Sequence, residues 1–227
     1  HDSKSWLMAK HKLQRFAENE TFGNLFQRSH YDCANVPFPL RGRWREDYFH
    51  NDNPIVLELG CGKGEYTLAM ARRMPDRNYV GVDRKGARLW RGCKDAIEEQ
   101  LGNVAFLRIT IDRIGYYFAP GEVDEIWVTF PDPQLKHERR RLVSPRFVGY
   151  YRQVMKEGGG ALNLKTDSRE LYEYVLEVAP EQNWPVLSKV DDVYAEPCDP
   201  LLKEVQTFYE KMWLAEGKRI SYVRIGI

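Results

Sequence analysis

Residues 55–59, Ile55-Val56-Leu57-Glu58-Leu59, make a short apolar run bounded by Pro54 that opens straight into Gly60-Cys61-Gly62-Lys63-Gly64. Such a run predicts a strand buried on both faces, as in a parallel sheet. The glycines permit a tight turn and let the backbone approach a ligand closely. Residues 64–73 then read as a helix. Strand, glycine turn and helix in this order open a doubly wound α/β sheet, where ligands bind beyond the carboxyl ends of the strands. The rest of the chain continues the pattern. Strands at 78–82, 104–108, 124–129 and 161–165 alternate with helices over 85–100, 144–156 and 168–178. Strands near 186–191 and 219–226 follow, with a helical piece near 207–216 between them. The alternation predicts an α/β fold with a mostly parallel sheet.

A length of 227 residues and 43% hydrophobic content suit one such domain with a single core and a short arm. Residues 1–53 are rich in aromatic and charged side chains without clean periodicity. They read as an N-terminal basic and aromatic arm with one short helix and a loop around Pro37 and Pro39, ahead of a domain at 54–227. A chain that opens on His1 reads as part of a longer one. The four cysteines form no C-x-x-C pair and suit no zinc site, so free thiols, a reducing compartment and no metal are expected. No signal-peptide core and no apolar run of membrane length is present, which predicts a soluble, cytoplasmic protein without a membrane partner. Nothing in the sequence chooses between a monomer and a homodimer.

The turn is spaced G-x-G-x-G, whereas the dinucleotide fingerprint is G-x-G-x-x-G, and the position of its last glycine holds Glu65. A glutamate there suits a helix N-terminus but repels a pyrophosphate. Glu58, just before the turn, adds negative charge. The pattern favours a cofactor without phosphates, and S-adenosylmethionine, with its cationic sulfonium and amino groups, is one. Asp83 closes the second strand, where an acid accepts hydrogen bonds from ribose hydroxyls. Asp112 follows the third, where an adenine edge would lie. A purely structural turn flanked by surface acids is the plain alternative.

The fourth strand ends in Thr129-Phe130-Pro131-Asp132-Pro133, where two prolines fix the backbone around one carboxylate. Residues 134–156 then carry Lys136, Arg139, Arg140, Arg141, Arg146, Arg152 and Lys156 against the single acid Glu138, although the whole chain has a net charge of only +1. Arg84, Lys85, Arg88, Arg91 and Lys94 form a second basic run after Asp83. Basic charge gathered around one sheet edge suits a phosphate backbone, and a solvated helix face accounts for it equally well. Lys4, Lys10, Lys12 and Arg15, with Trp6 and Phe16, either grip RNA or line an ordinary surface helix.

Taken in order, LELGCGKGE, VGVD, TFPDPQLK, LKTD and TFYE resemble the bacterial tRNA (guanine-N7-)-methyltransferase family over about 54–227. The Pro-Asp-Pro-x-x-Lys block and the late Thr-x-x-Glu are specific to that family, while many methyltransferases share the glycine turn. The resemblance implies a class I methyltransferase fold: a seven-stranded, Rossmann-like sheet with a final antiparallel strand. It implies methylation of N7 of a guanosine in the variable loop of tRNA, with S-adenosyl-L-methionine as cofactor. It places cofactor contacts at Glu58, Gly60, Gly62, Gly64, Asp83 and Asp112, and the catalytic carboxylate at Asp132. Substrate contacts fall at Lys136, Asp167, Thr207 and Glu210. Asp132, Asp167 and Glu210 are all candidates to read the guanine edge.

The chain departs from the family at Gln134-Leu135, where many members carry Trp-His or Trp-Pro, and the basic stretch 136–142 is about two residues shorter. The main alternative is an S-adenosylmethionine-dependent methyltransferase acting on a small molecule or a protein, which would not need the basic segment. A nicotinamide-dependent oxidoreductase and an RNA-binding module without chemistry are the others.

Overall fold

The computed structural model describes residues 2–227. Eight strands form one sheet: β1 (Leu25–Gln27), β2 (Ile55–Leu59), β3 (Asn78–Asp83), β4 (Val104–Arg108), β5 (Glu125–Thr129), β6 (Ala161–Thr166), β7 (Val186–Val190) and β8 (Ser221–Gly226). Their spatial order is β1-β4-β3-β2-β5-β6-β8-β7. All neighbours pair parallel except β8, which runs antiparallel to both β6 and β7. The order reverses at β2, whose neighbours are β3 and β5. A crevice opens at such a reversal, and the glycine turn leaves β2 there. The α/β fold with its antiparallel closing strand is the expected one, with one strand more than seven.

That extra strand comes from the N-terminal segment. Three residues pair with β4 in the register Leu25↔Phe106, Phe26↔Leu107 and Gln27↔Arg108. The first helix, α1 (Asp2–Asn19), is 18 residues long rather than short. It lies on α4 (Gly86–Glu98), where Asn19 Nδ2 donates to the Gly86 carbonyl at 2.9 Å and the Arg15 guanidinium stands 4.6 Å from the Trp90 ring centre. Much of the aromatic content of residues 1–53 is core. Trp44 is fully buried, stacks on Phe118 at 5.2 Å and donates its indole N–H to the Tyr117 carbonyl at 2.9 Å. Phe26, Phe38 and Tyr48 pack around it.

A short helix, α2 (His30–Asn35), follows β1, α3 (Glu65–Arg73) runs between β2 and β3, and α4 connects β3 to β4. The helices α5 (Pro145–Arg152) and α6 (Arg169–Glu181) flank β6 in the chain, and α7 (Pro200–Glu204) and α8 (Phe208–Ala215) precede β8. Phe106 organises the join between turn, sheet and α4. A Cβ added at Gly81 would meet its ring at 2.7 Å, one at Gly92 at 2.8 Å and one at Gly64 at 2.9 Å. Gly64 also has a positive φ of 79°, a conformation that side-chain-bearing residues rarely adopt. The glycines of the turn and of VGVD therefore make room for an aromatic ring as well as for a ligand.

Candidate active site

A cavity of about 300 Å³ lies over the carboxyl ends of β2 and β5. That is at the lower end of the range for small-molecule sites. Its floor is Glu58, Gly60, Cys61 and Gly62, and Thr129 and Phe130 line one side. Thr207, Tyr209 and Trp213 of the α8 region form another wall, with Lys63 and Arg88 at its rim.

Glu58 is 1% exposed. One carboxylate oxygen accepts from Thr67 Oγ1 at 2.5 Å and the other accepts from Thr129 Oγ1, which ties β2 to α3 and β5. Burial pushes its carboxyl up to about 7. The two threonine hydrogen bonds oppose that shift, and the nearby Asp83 carboxylate adds a smaller upward push. Glu58 is thus a buried acid poised to ionise when a cation arrives.

Asp83 accepts from the backbone N–H of Gly62 and of Lys85, each at 2.9 Å. These bonds pin the glycine turn to the end of β3. Each carboxylate oxygen keeps a second lone pair for a further donor. Gly60, Gly62 and Gly64 all have positive φ, so the turn carries three successive left-handed glycines at alternate positions. Glu65 closes the turn on its far side by accepting from the backbone N–H of Phe208 at 3.0 Å, joining α3 to α8. Asp112, like Asp83, is not among the residues that line this cavity. It is exposed, in the first turn of a 3₁₀ helix (Ile111–Tyr116) beyond β4.

The segment after β5 is held by backbone geometry. Phe130 and Gln134 both have φ of 48°, so two strained residues bracket Pro131-Asp132-Pro133. Asp132 is exposed, and one of its oxygens accepts from the Gln134 N–H at 2.9 Å. Phe130 packs on Trp213 at 4.8 Å, and Trp213 stacks on Tyr209 at 5.9 Å. Lys136 is exposed on the following loop. Asp167, just past β6, is half-buried and lies 3.5 Å from Lys218 Nζ.

Thr207 caps α8 by accepting from the Glu210 N–H at 3.3 Å. The Glu210 side chain is fully buried beneath the cavity wall. It lies 2.8 Å from Lys165 Nζ, and its other oxygen accepts from the Tyr194 hydroxyl. Lys165 is equally buried, and its ammonium donates to the carbonyls of Leu202 at 2.7 Å and Val205 at 3.1 Å. Burial pulls the lysine below its ordinary value, and Glu210 opposes that shift. Of the three carboxylates that could face a guanine edge, Asp132 is open, Asp167 is half-open and Glu210 is closed.

The structure therefore brings Glu58, the three glycines, Asp83, Thr207 and the Asp132 turn to one sheet edge. It also adds Thr67, Thr129, Trp213 and Lys165, which sequence reasoning had not assigned roles. Lys165 carried a signal, because a lysine inside the strand ALNLKT needs a buried partner. Among the described residues no group of His, Cys, Asp or Glu is arranged to hold a metal ion, and no helix is long and apolar enough to cross a membrane.

The parallel sheet, the glycine turn at its reversal point and the paired acids at the ends of β2 and β3 define a methyltransferase of the class I fold. Solved structures agree on the fold. A 16S rRNA methyltransferase, KamB, superposes with a TM-score of 0.62 at 18% identity, covering 80% of this chain and 91% of that one. A methyltransferase from Aquifex aeolicus superposes at 0.54 with 14% identity, covering 88% and 98%. A family profile described as "Putative methyltransferase" matches residues 52–223. The tRNA (guanine-N(7)-)-methyltransferase of Christiangramia forsetii is 49% identical over 224 residues, 96% of this chain and 99% of its own length. That of Porphyromonas gingivalis is 46% identical over 214 residues, covering 92% and 86%. The chain belongs to the tRNA (guanine-N(7)-)-methyltransferase family.

Proposed function

We propose that this protein transfers a methyl group from S-adenosyl-L-methionine to N7 of a guanosine in the variable loop of tRNA. The observation that carries the reading is the pairing of a cation-ready acidic cavity with an open, backbone-fixed Asp132 at the adjoining strand end.

The residues present fit the cofactor. Glu58 and Asp83 supply negative charge and ribose acceptors, the glycine turn removes side chains from the approach, and Lys63 and Arg88 at the rim suit a carboxylate. When bound, the cofactor would supply a sulfonium-activated methyl, and the free N7 lone pair could take it as the S–CH3 bond breaks and the neutral thioether leaves, with no proton to remove. The protein's task is therefore positioning and charge stabilisation. Asp132 orients the base and offsets the positive charge that grows on the purine ring. Asp132 or Asp167 accepts the adjacent N1–H and N2–H donors of guanine, a pair that adenine lacks. Thr207 and Tyr209 wall the base, and Lys136 takes a phosphate. Glu210 acts through Lys165 and Tyr194, holding α8 in place rather than touching the base. Asp112 lies beyond β4, where it reaches the adenine edge of the cofactor.

In folded tRNA the target base has to be exposed before N7 is reached. A tRNA transcript carrying 7-deazaguanosine at the variable-loop position tests the atom assignment. Binding close to that of the normal transcript with no methyl incorporation is expected. Incorporation at the normal level would place the reaction elsewhere.

A further inference from the structure

A second cavity, of about 440 Å³, opens on the same sheet edge but beyond β1 and β4 rather than β2 and β5. Arg28, Arg84, Arg108 and Arg113 line it together with His30, and Glu20 is its one acidic lining residue. Arg108 closes β4 and pairs in register with Asp83 on one side and with Gln27, the last residue of β1, on the other. Arg84 directly follows Asp83. Strands in a sheet lie about 4.8 Å apart, and β4 and β1 stand two and three places from β2, so this cavity lies roughly 10–15 Å from the glycine turn.

The four guanidiniums differ from most others in the molecule. Arg72, Arg91 and Arg141 each face a carboxylate, as do Arg43, Arg45, Arg73, Arg77, Arg169, Arg219 and Arg224. None of the four cavity arginines has an ion-pair partner among the described residues. Two are held in place by neutral groups. Arg28 donates to the carbonyls of Asp32 at 3.1 Å and Val36 at 2.6 Å and stacks over Phe38. Arg108 donates to the Arg84 carbonyl at 3.2 Å and to Gln27 Oε1 at 3.3 Å, and stands over the Phe16 ring. Four like charges gathered in one concave site repel one another, and the protein supplies no counter-charge beyond Glu20. Fixed, unpaired arginine forks match phosphate oxygens. A cationic cofactor would gain nothing here.

We propose that this arginine cavity is an anchoring site for the phosphate backbone of the substrate RNA, separate from the methyl-transfer cleft and within a few nucleotides of the target base. The site rests on the reading of the protein as a tRNA methyltransferase. It uses residues from the N-terminal segment (Arg28 and His30) and from the sheet edge together, so β1 and the segment after it build part of the RNA surface.

The test uses Arg84→Gln, Arg113→Gln and the double variant. Neither guanidinium donates a hydrogen bond within the described protein, so the fold does not depend on them. Binding to unmodified tRNA is measured across a salt series, and cofactor affinity is measured without RNA. Each lost phosphate contact lowers the slope of log affinity against log salt by roughly 0.7–0.9. Each single variant should bind tRNA on the order of fivefold more weakly at physiological salt, and the double variant about tenfold or more. Cofactor affinity should stay within twofold. Unchanged tRNA affinity and salt slope, in a protein whose wild type methylates tRNA, overturn this site alone. Weakened cofactor binding would make the cavity part of the cofactor site and also overturn it. A wild type that neither binds nor methylates tRNA fails both readings at once.

Discussion

The two halves of the cleft are built in opposite ways. On the proposed cofactor side the two acids are already held: both oxygens of Glu58 accept from threonines, both oxygens of Asp83 accept from backbone N–H groups, and the glycine turn is pinned to Asp83. On the substrate side Asp132 makes one local hydrogen bond, Lys136 is exposed, and the basic loop that follows is exposed through Arg140. A preorganised pocket binds without reorganising, whereas an exposed basic segment offers its charges to a polyanion. On the proposed reading, the cofactor is met by acids already held in place and the RNA by exposed groups.

The largest expected effect comes from Asp132→Ala. It should lower the single-turnover methyl-transfer rate by on the order of a hundredfold or more, as loss of a transition-state contact does. Cofactor affinity measured by calorimetry should barely change. Equal losses in both would merge the two halves.

Next is the pillar between them. Lys165→Ala leaves Glu210 buried and unpaired and should lower unfolding free energy by about 3 kcal/mol in urea titrations. Replacing both residues with apolar ones of similar volume should recover most of that loss, because no charge is then stranded. If the single variant kept full stability, α8 would be held by other contacts.

A third effect separates the halves by pH. Glu58 titrates near 7, so it is neutral below that value and anionic above it. Binding of a cation is favoured by the anion, so cofactor affinity should rise about tenfold from pH 5.5 to 7. Glu58→Gln should flatten that rise. The same shift has an opposite consequence for the free protein. The folded state holds the proton more tightly than the unfolded chain, so this group's contribution to stability falls as pH rises from the ordinary glutamate value of 4.5 towards 7. A pH-independent affinity would remove Glu58 from the binding role.

The smallest effect is expected at Lys136→Ala. It should weaken tRNA binding about fivefold and lower the salt slope by about one, leaving the cofactor side untouched. An unchanged slope would rule out a phosphate contact there.

The same contrast explains what was legible in the sequence. The strand 55–59, the glycine turn and Asp83 could be read because a local sequence pattern marks each of them. Strand β1 could not be read, because Leu-Phe-Gln is too short to show a period and its pairing with β4 lies some 80 residues away. Trp44 and Phe38 looked like parts of an arm because an aromatic residue carries the same letter in a core and on an RNA surface, and only packing separates the two. Glu210 was visible as part of a motif, but its closure by Lys165 and Tyr194 joins β6, the loop before α7 and α8, which no spacing reveals. Asp112 follows the third strand as expected, in the first turn of a 3₁₀ helix whose form the sequence did not show.

The most direct measurement is transfer from labelled S-adenosyl-L-methionine to unmodified tRNA, followed by digestion and identification of the modified nucleoside. The account predicts 7-methylguanosine, lost when the variable-loop guanosine is replaced by adenosine. Label in any other nucleoside, or in no RNA despite cofactor binding, would contradict it.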